Sequence, residues 1–286
     1  YDLTRFWSLS VNDLLAQYFE SEALISHLAA GALIGHTLGP DDPTGAALLA
    51  PRWFDGDEGG MPWRTAPAGG MQALVDQMAD IARDRGVDIR CDAEVTDIRL
   101  VKSRARSLVL ADGEEIEAAF ILSDLDAKRS FLNLFQWSSL PKGFVEDIAH
   151  VRMEGAVARA NFALKKMPTF SQLPNDIPAL AGGLMIGGHV ANMARAHEDW
   201  LDHCPPTRPM LEVTIPTLED PSFAPAGGHI FSVAIQFVPH ELHDGVWSPS
   251  RRKALMETVR KMIEQHAPDF GDCVIAEKLR VPSDME

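Results

Sequence analysis

Residues 66–86 read APAGGMQALVDQMADIARDRG, and residues 107–124 read SLVLADGEEIEAAFILSD. Between these two stretches the apolar period changes from 3.6 to 2. Met71, Leu74, Val75, Met78, Ile81 and Ala82 fall on one helical face. Gly86 follows as the glycine that ends such a helix. Residues 87–90 then read as a short strand, and Val95, Ile98 and Leu100 mark a second. Residues 107–110 and 114–122 flank Asp112-Gly113, a strong hairpin signal. Residues 87–122 therefore predict a small strand meander. Its last stretch, AAFILSD at 118–124, is nearly all apolar, as in a strand buried on both faces.

Gly69 and Gly70 open the helix. A glycine turn at a helix N-terminus is one place where phosphates are held. A dinucleotide cradle also needs a strand leading into the turn. The stretch before Gly69 is rich in Gly and Pro from residue 39 onward and predicts a long loop or short helical turns instead. The pair therefore reads as a tight turn lining a cleft.

Elsewhere, Val11, Leu14, Leu15, Tyr18 and Phe19, then Leu24, Ile25 and Leu28, have helical spacing with a break near Ser21. A helix is expected over 127–135. Four longer strands are expected over 156–164, 210–215, 229–237 and 273–281. Two helices interleave with them. One covers 190–203, and the other starts at N-cap Ser248 with Pro249 behind it and carries Leu255, Val259, Met262 and Ile263 on one face. The whole reads as α+β with α/β remnants, in which an antiparallel sheet has helical cover.

Composition excludes several functions. With 41 acidic against 26 basic residues in 286, the net charge is −15 and no strong basic patch is concentrated in sequence, so nucleic acid is a poor partner. Cys91, Cys204 and Cys273 are scattered, which argues against a disulfide framework or a cysteine zinc site. No apolar run suffices to span a bilayer, though peripheral membrane contact stays open. The N-terminus has no signal-peptide pattern and no initiating Met. His240 and His243 form HxxH, which lacks the spacing and third ligand of a zinc helix, so no metal is expected. GxGxxG, GxxxxGK[ST] and GxSxG are all absent. The glycines of AGGLMIGGHV at 181–190 fit none of these and read as a flexible loop. Asp124 and Asp126, in SDLD, read either as paired carboxylates or as a turn leading into a helix. No residue stands out as a general acid or base.

An ordered set of segments goes further. PAGGMQALVDQMADIARDRGVDIRCDAEVTDI, LADGEEIEAAFILSDLDAKRSFLNL, IPTLEDPSFAPAGGHIFSVAIQFVPHEL and IEQHAPDF run in this order across most of the chain. The set resembles the FAD-dependent phytoene desaturase and amine oxidase superfamily, within it the phytoene dehydrogenase-like group. The resemblance implies a Rossmann-like FAD domain and a second, antiparallel-sheet domain that takes an apolar, isoprenoid-type substrate. It makes residues 66–135 a remnant of the FAD-binding domain, and 1–65 with 136–286 the substrate side. It places Gly69, Gly70 and Met71 on the flavin side of the cleft. It puts Val95 against the adenine end of FAD, and Ser123, Asp124 and Leu125 close to the cofactor. Ser123-Asp124-Leu125 is bulkier and more acidic than the small residues usual at that point.

The family's GxGxxG would precede residue 1 and its closing glycine motif would follow residue 286. The chain is thus expected to be a central piece of an oxidoreductase, inactive alone and weak in FAD binding. NAD(P) as a second carrier, and self-association into a homo-oligomer, are compatible with the resemblance. The expected compartment is the cytoplasm in a bacterium, or the mitochondrion in a eukaryote. Trp7, Phe54, Trp63, Phe237 and Trp247 are candidates both for the pocket wall and for ordinary core packing. A rival function is a non-enzymatic binding or assembly module that keeps an apolar cleft and has lost the cofactor domain.

Overall fold

The computed structural model describes residues 2–50, 67–173 and 180–285. The chain divides into two compact units, Tyr1–Ala73 with Glu154–Glu286, and Leu74–Met153.

The larger unit is built on a five-stranded antiparallel sheet. Its strands are β4 (Val157–Leu164), β5 (Leu184–Ile186), β6 (Leu211–Thr214), β7 (His229–Gln236) and β8 (Val274–Arg280), in the spatial order β5-β6-β7-β4-β8. The four longer strands lie where alternation predicts them. β5 lies inside the glycine-rich segment read as a loop. Gly187, with φ +73°, admits no side chain, since a Cβ there would sit 2.7 Å from Pro209 O. The glycine on this flank serves close approach of the backbone rather than flexibility.

Along β4 every second residue is buried: Ala158, Ala160, Phe162 and Leu164. They face helix α7 (Pro249–Glu264), whose Leu255, Met256, Val259 and Ile263 complete the core with Phe231 and Phe270. Phe162 and Phe270 meet edge to face, with ring centroids 5.2 Å apart. Ser248 caps α7 by accepting the N–H of Arg251, with Pro249 in the first turn, as its sequence requires.

After the N-terminal helix α1 (Asp2–Ser8), a second core gathers helices α2 (Val11–Leu15), α3 (Glu22–Leu33) and α6 (Val190–Leu201) around Met210, Ala156 and Phe237. Ser10 and Ser21 cap α2 and α3, so the break expected near Ser21 is a cap. The buried Gln236 pins this layer. Its Oε1 accepts the Gly35 N–H at 2.9 Å, and its Nε2 donates to His36 O.

The smaller unit holds most of helix α4 (Gly70–Asp84), the meander β1 (Val95–Val101), β2 (Arg104–Leu110) and β3 (Glu115–Glu117), and helix α5 (Lys142–Ala149). α4 ends as expected. Gly86 has φ +82°, its N–H donates to Arg83 O, and the Val87 N–H donates to Ala82 O. The β2-β3 turn also forms as read. Gly113 has φ +89° and donates to Leu110 O, and Asp112 Oδ1 accepts the Glu114 N–H. No helix occurs in 105–120.

Two expected strands are not formed. Residues 87–90 are irregular and exposed, and residues 118–124 leave the sheet after Glu117. Phe120 and Leu122 are 90% and 98% exposed rather than buried on both faces. A strand exists only where a neighbour completes its ladder. The meander stops at β3, and no described strand pairs with either segment. The apolar stripe of α4 is uncovered as well, with Leu74, Val75, Met78 and Ile81 all exposed.

Candidate functional site

The glycine pair that opens α4 has a definite environment. Gly69 and Gly70 have φ of +80° and +78°. The Gly69 N–H donates to Asp220 Oδ2 at 2.9 Å, while Asp220 Oδ1 accepts the Ser222 N–H. The Ser222 side-chain hydroxyl foremost, then the Gly69 N–H and the Ser222 N–H, hold the Asp220 carboxyl below its ordinary pKa. A Cβ on Gly70 would lie 2.9 Å from Phe223 Cζ. A carboxylate therefore already occupies a donor that a phosphate cradle would use, and a second anion there would be repelled. The pyrophosphate of FAD does not fit this turn. Met71, the next residue, is exposed.

Val95 and the 123–125 segment belong to the smaller unit. Val95 opens β1 opposite Leu110 and is half-buried. Ser123 is held by the buried Ser130, with hydroxyls 3.0 Å apart, and Ser130 Oγ also donates to Leu125 O at 3.2 Å. Asp126 Oδ1 accepts the Arg129 N–H at 2.8 Å, which makes it the cap of the turns that follow. Of the two readings of SDLD, turn and helix start is therefore the one formed. Those turns include a π-helical stretch, Arg129–Asn133, within the helix expected over 127–135. Asp124 and Leu125 are exposed.

Of the aromatic candidates, Phe237 and Trp247 are core residues, and the Trp247 indole donates to Pro239 O at 2.9 Å. Trp7 is 56% exposed. Phe54 and Trp63 lie outside the described residues. Among the described residues, no helix is long and apolar enough to cross a membrane, and no group of three His, Cys, Asp or Glu is placed to hold a metal.

Two features were not read from the sequence. One is a cavity of about 130 Å³ lined by Phe170, Leu173, Leu184, Met185 and Ile186 with Gln172 and His266. It is smaller than the roughly 300–1,000 Å³ of usual small-molecule sites. The other is the sheet face turned away from α7. On β4 it carries Arg159, Asn161 and Ala163, all exposed. The period-two pattern VARANFAL was the available signal, but it cannot say which residues of other strands lie beside these.

A flavin-oxidoreductase profile matches residues 3–276, nearly the whole chain. The chain belongs to the family of flavin-containing amine oxidoreductases. That bears out FAD as the family cofactor, as well as the family resemblance seen in the ordered segments. A mouse protein, pyridine nucleotide-disulfide oxidoreductase domain-containing protein 2, is 31% identical over 96% of this chain and 49% of its own length. The 4,4'-diapolycopene oxygenase of a Methylomonas species is 25% identical over 76% of this chain and 41% of its own length. The fold is shared with an oxidoreductase of Methanosarcina mazei, with a TM-score of 0.59, 14% identity, and coverage of 100% of this chain and 62% of that one. The chain spans about half the length of the curated relatives it matches.

Proposed function

We propose that this flavin-family chain forms the substrate side, and part of the flavin side, of an FAD-dependent dehydrogenase or desaturase acting on a largely apolar, isoprenoid-type molecule. The observation that carries this reading is the family match across both units, joined to the likeness to an enzyme named for diapolycopene. When bound, the flavin supplies the hydride acceptor, and the protein positions the apolar substrate against it. On this reading residues 66–135 are the cofactor-side remnant, and 1–65 with 136–286 are the substrate side.

Gly69 and Gly70 turn the chain into α4 and hold Asp220, and they leave the phosphates to donors elsewhere in the enzyme. Val95 lies at the adenine end, and Ser123, Asp124 and Leu125 form a loop beside the cofactor, fixed by Ser130. The uncovered stripe of α4 and the exposed Phe120 and Leu122 suit a surface on which the remainder of a flavin domain packs. The five-stranded sheet provides a rigid wall whose face away from α7 is exposed on β4 and β8, where a substrate can lie.

The test is to purify the protein encoded by the complete reading frame and record its visible spectrum. It should then be mixed anaerobically with phytoene-like polyenes while flavin absorbance is followed. Bound FAD that bleaches with substrate supports the proposal. A colourless protein that takes up no FAD refutes it.

A further inference from the structure

Strand register brings like charges together on the open face of the large sheet. Arg159 on β4 stands directly opposite Arg280 on the edge strand β8, and Asn161 stands opposite Lys278. Opposed residues of an antiparallel pair point to the same face. That face is the one away from α7. The alternate residues Phe162 and Ala160 are in the core, and Glu277, opposite Phe162, reaches Arg260 of α7 at 3.1 Å.

Continuing each row inward, Arg159 neighbours Ala234 and then Glu212, while Asn161 neighbours Ser232 and then Thr214. The next row holds Ile230, Ala163 and Ala276. The face is thus graded. Cations lie at one end, hydroxyl and amide groups follow, and small apolar side chains come last.

The cations are exposed and unmatched. No ion pair or side-chain hydrogen bond engages Arg159 or Lys278 among the described residues, and neither do any of the described carboxylates. Arg280 acts on Asp284 only at a distance, and Asp284 is already bound by both terminal nitrogens of Arg252. Glu212 is separated from Arg159 by the covered Ala234 and has an interaction of its own. Like charges placed directly opposite on a sheet are unfavourable. Here Arg159 and Arg280 form such a pair, and a third cation, Lys278, stands in the adjacent row, in a chain whose net charge is −15. Two guanidiniums side by side suit the oxygens of one anion.

We propose that this face binds an amphiphilic acid, with its anionic head on Arg159, Arg280 and Lys278 and its apolar body running toward Ile230, Ala163 and Ala276. The inference rests on the sheet being the substrate wall of the flavoenzyme, and it narrows the substrate class to an apolar chain ending in a carboxylate or phosphate.

The test uses the protein from the complete reading frame, with dodecanoate, dodecyl phosphate and dodecanol as probes in competition with a fluorescent fatty acid. Either acid should bind at least ten-fold more tightly than dodecanol. That preference should fall to near unity in R159Q/R280Q and persist in K253Q, which changes an exposed cation on α7. Circular dichroism of each variant checks the fold. The carboxylate and phosphate arms identify the head group. Equal binding of acid and alcohol, or a preference that survives R159Q/R280Q, overturns the proposal. Inorganic phosphate competing as well as dodecyl phosphate also overturns it, because the tail then plays no part. Flavin absorbance read on the same samples separates the two claims. A yellow protein without acid preference removes only this one, and a colourless protein with it removes only the flavoenzyme reading.

Discussion

At Gly70 the backbone lies at φ +78°, and the ring of Phe223 fills the place of a side chain. Gly70→Ala combines left-handed strain with a displaced ring. It should lower stability by about 1–2 kcal/mol, read as a shift in the urea midpoint. Asp269 is a second informative residue. Its carboxylate accepts the Thr169 N–H at 2.8 Å and sits 3.4 Å from Lys166 Nζ. The Thr169 N–H chiefly, with help from Lys166 and against some desolvation, lowers its pKa below the ordinary value. A lowered folded-state pKa contributes stability that is present above the unfolded value, about 3.9, and is lost as pH falls through the folded one. Asp269→Asn should therefore be about 1 kcal/mol less stable than the parent at neutral pH. The gap should close in denaturation curves taken below about pH 4. Neither contact was legible in the sequence. Asp220 is 151 residues from Gly69, and Asp269 is 100 from Thr169. The turn-forming character of the glycine pair was legible, because it is a local property of the backbone.

Elements whose signals are local formed where the sequence put them. Helix α7 has its cap, its first-turn proline and its apolar face within one stretch. Ser248→Ala should cost about 1 kcal/mol, seen as a lower melting temperature with the helical signal otherwise kept. The β2-β3 hairpin formed on Asp112-Gly113 for the same reason. The misread elements are those that depend on a partner. Residues 118–124 have strand composition but no described strand to pair with, and β5 has loop composition yet pairs with β6 through Leu184, Met185 and Ile186. Strand pairing is a contact between distant segments, so composition alone ranks these two stretches in the wrong order.

For the whole molecule, the matched relatives are about twice as long, and the smaller unit leaves Leu74, Val75, Met78, Ile81, Phe120 and Leu122 exposed. Residues 1–286 purified alone should not retain FAD through gel filtration. The phosphates lack positioned donors at the one glycine turn that might have served, and association costs several kcal/mol before net affinity appears. A near-stoichiometric yellow peak would overturn this. The same chain should self-associate, with light-scattering mass rising with concentration, since these apolar side chains are exposed and no described strand covers the sheet edges. By itself the sequence determined the end of α4, the start of α7, the break at Ser21, the hairpin turn, the alternation of the four long strands and the family; it missed the helix Lys142–Ala149. Caps, turns and periodicity act over a few residues, and the family signature is linear. Only the tertiary structure decided that Asp220 occupies the glycine turn, that two apolar stretches stay unpaired, and that Arg159 faces Arg280. Each of these depends on strand register or on contacts between residues far apart in the chain, and no local energy fixes them.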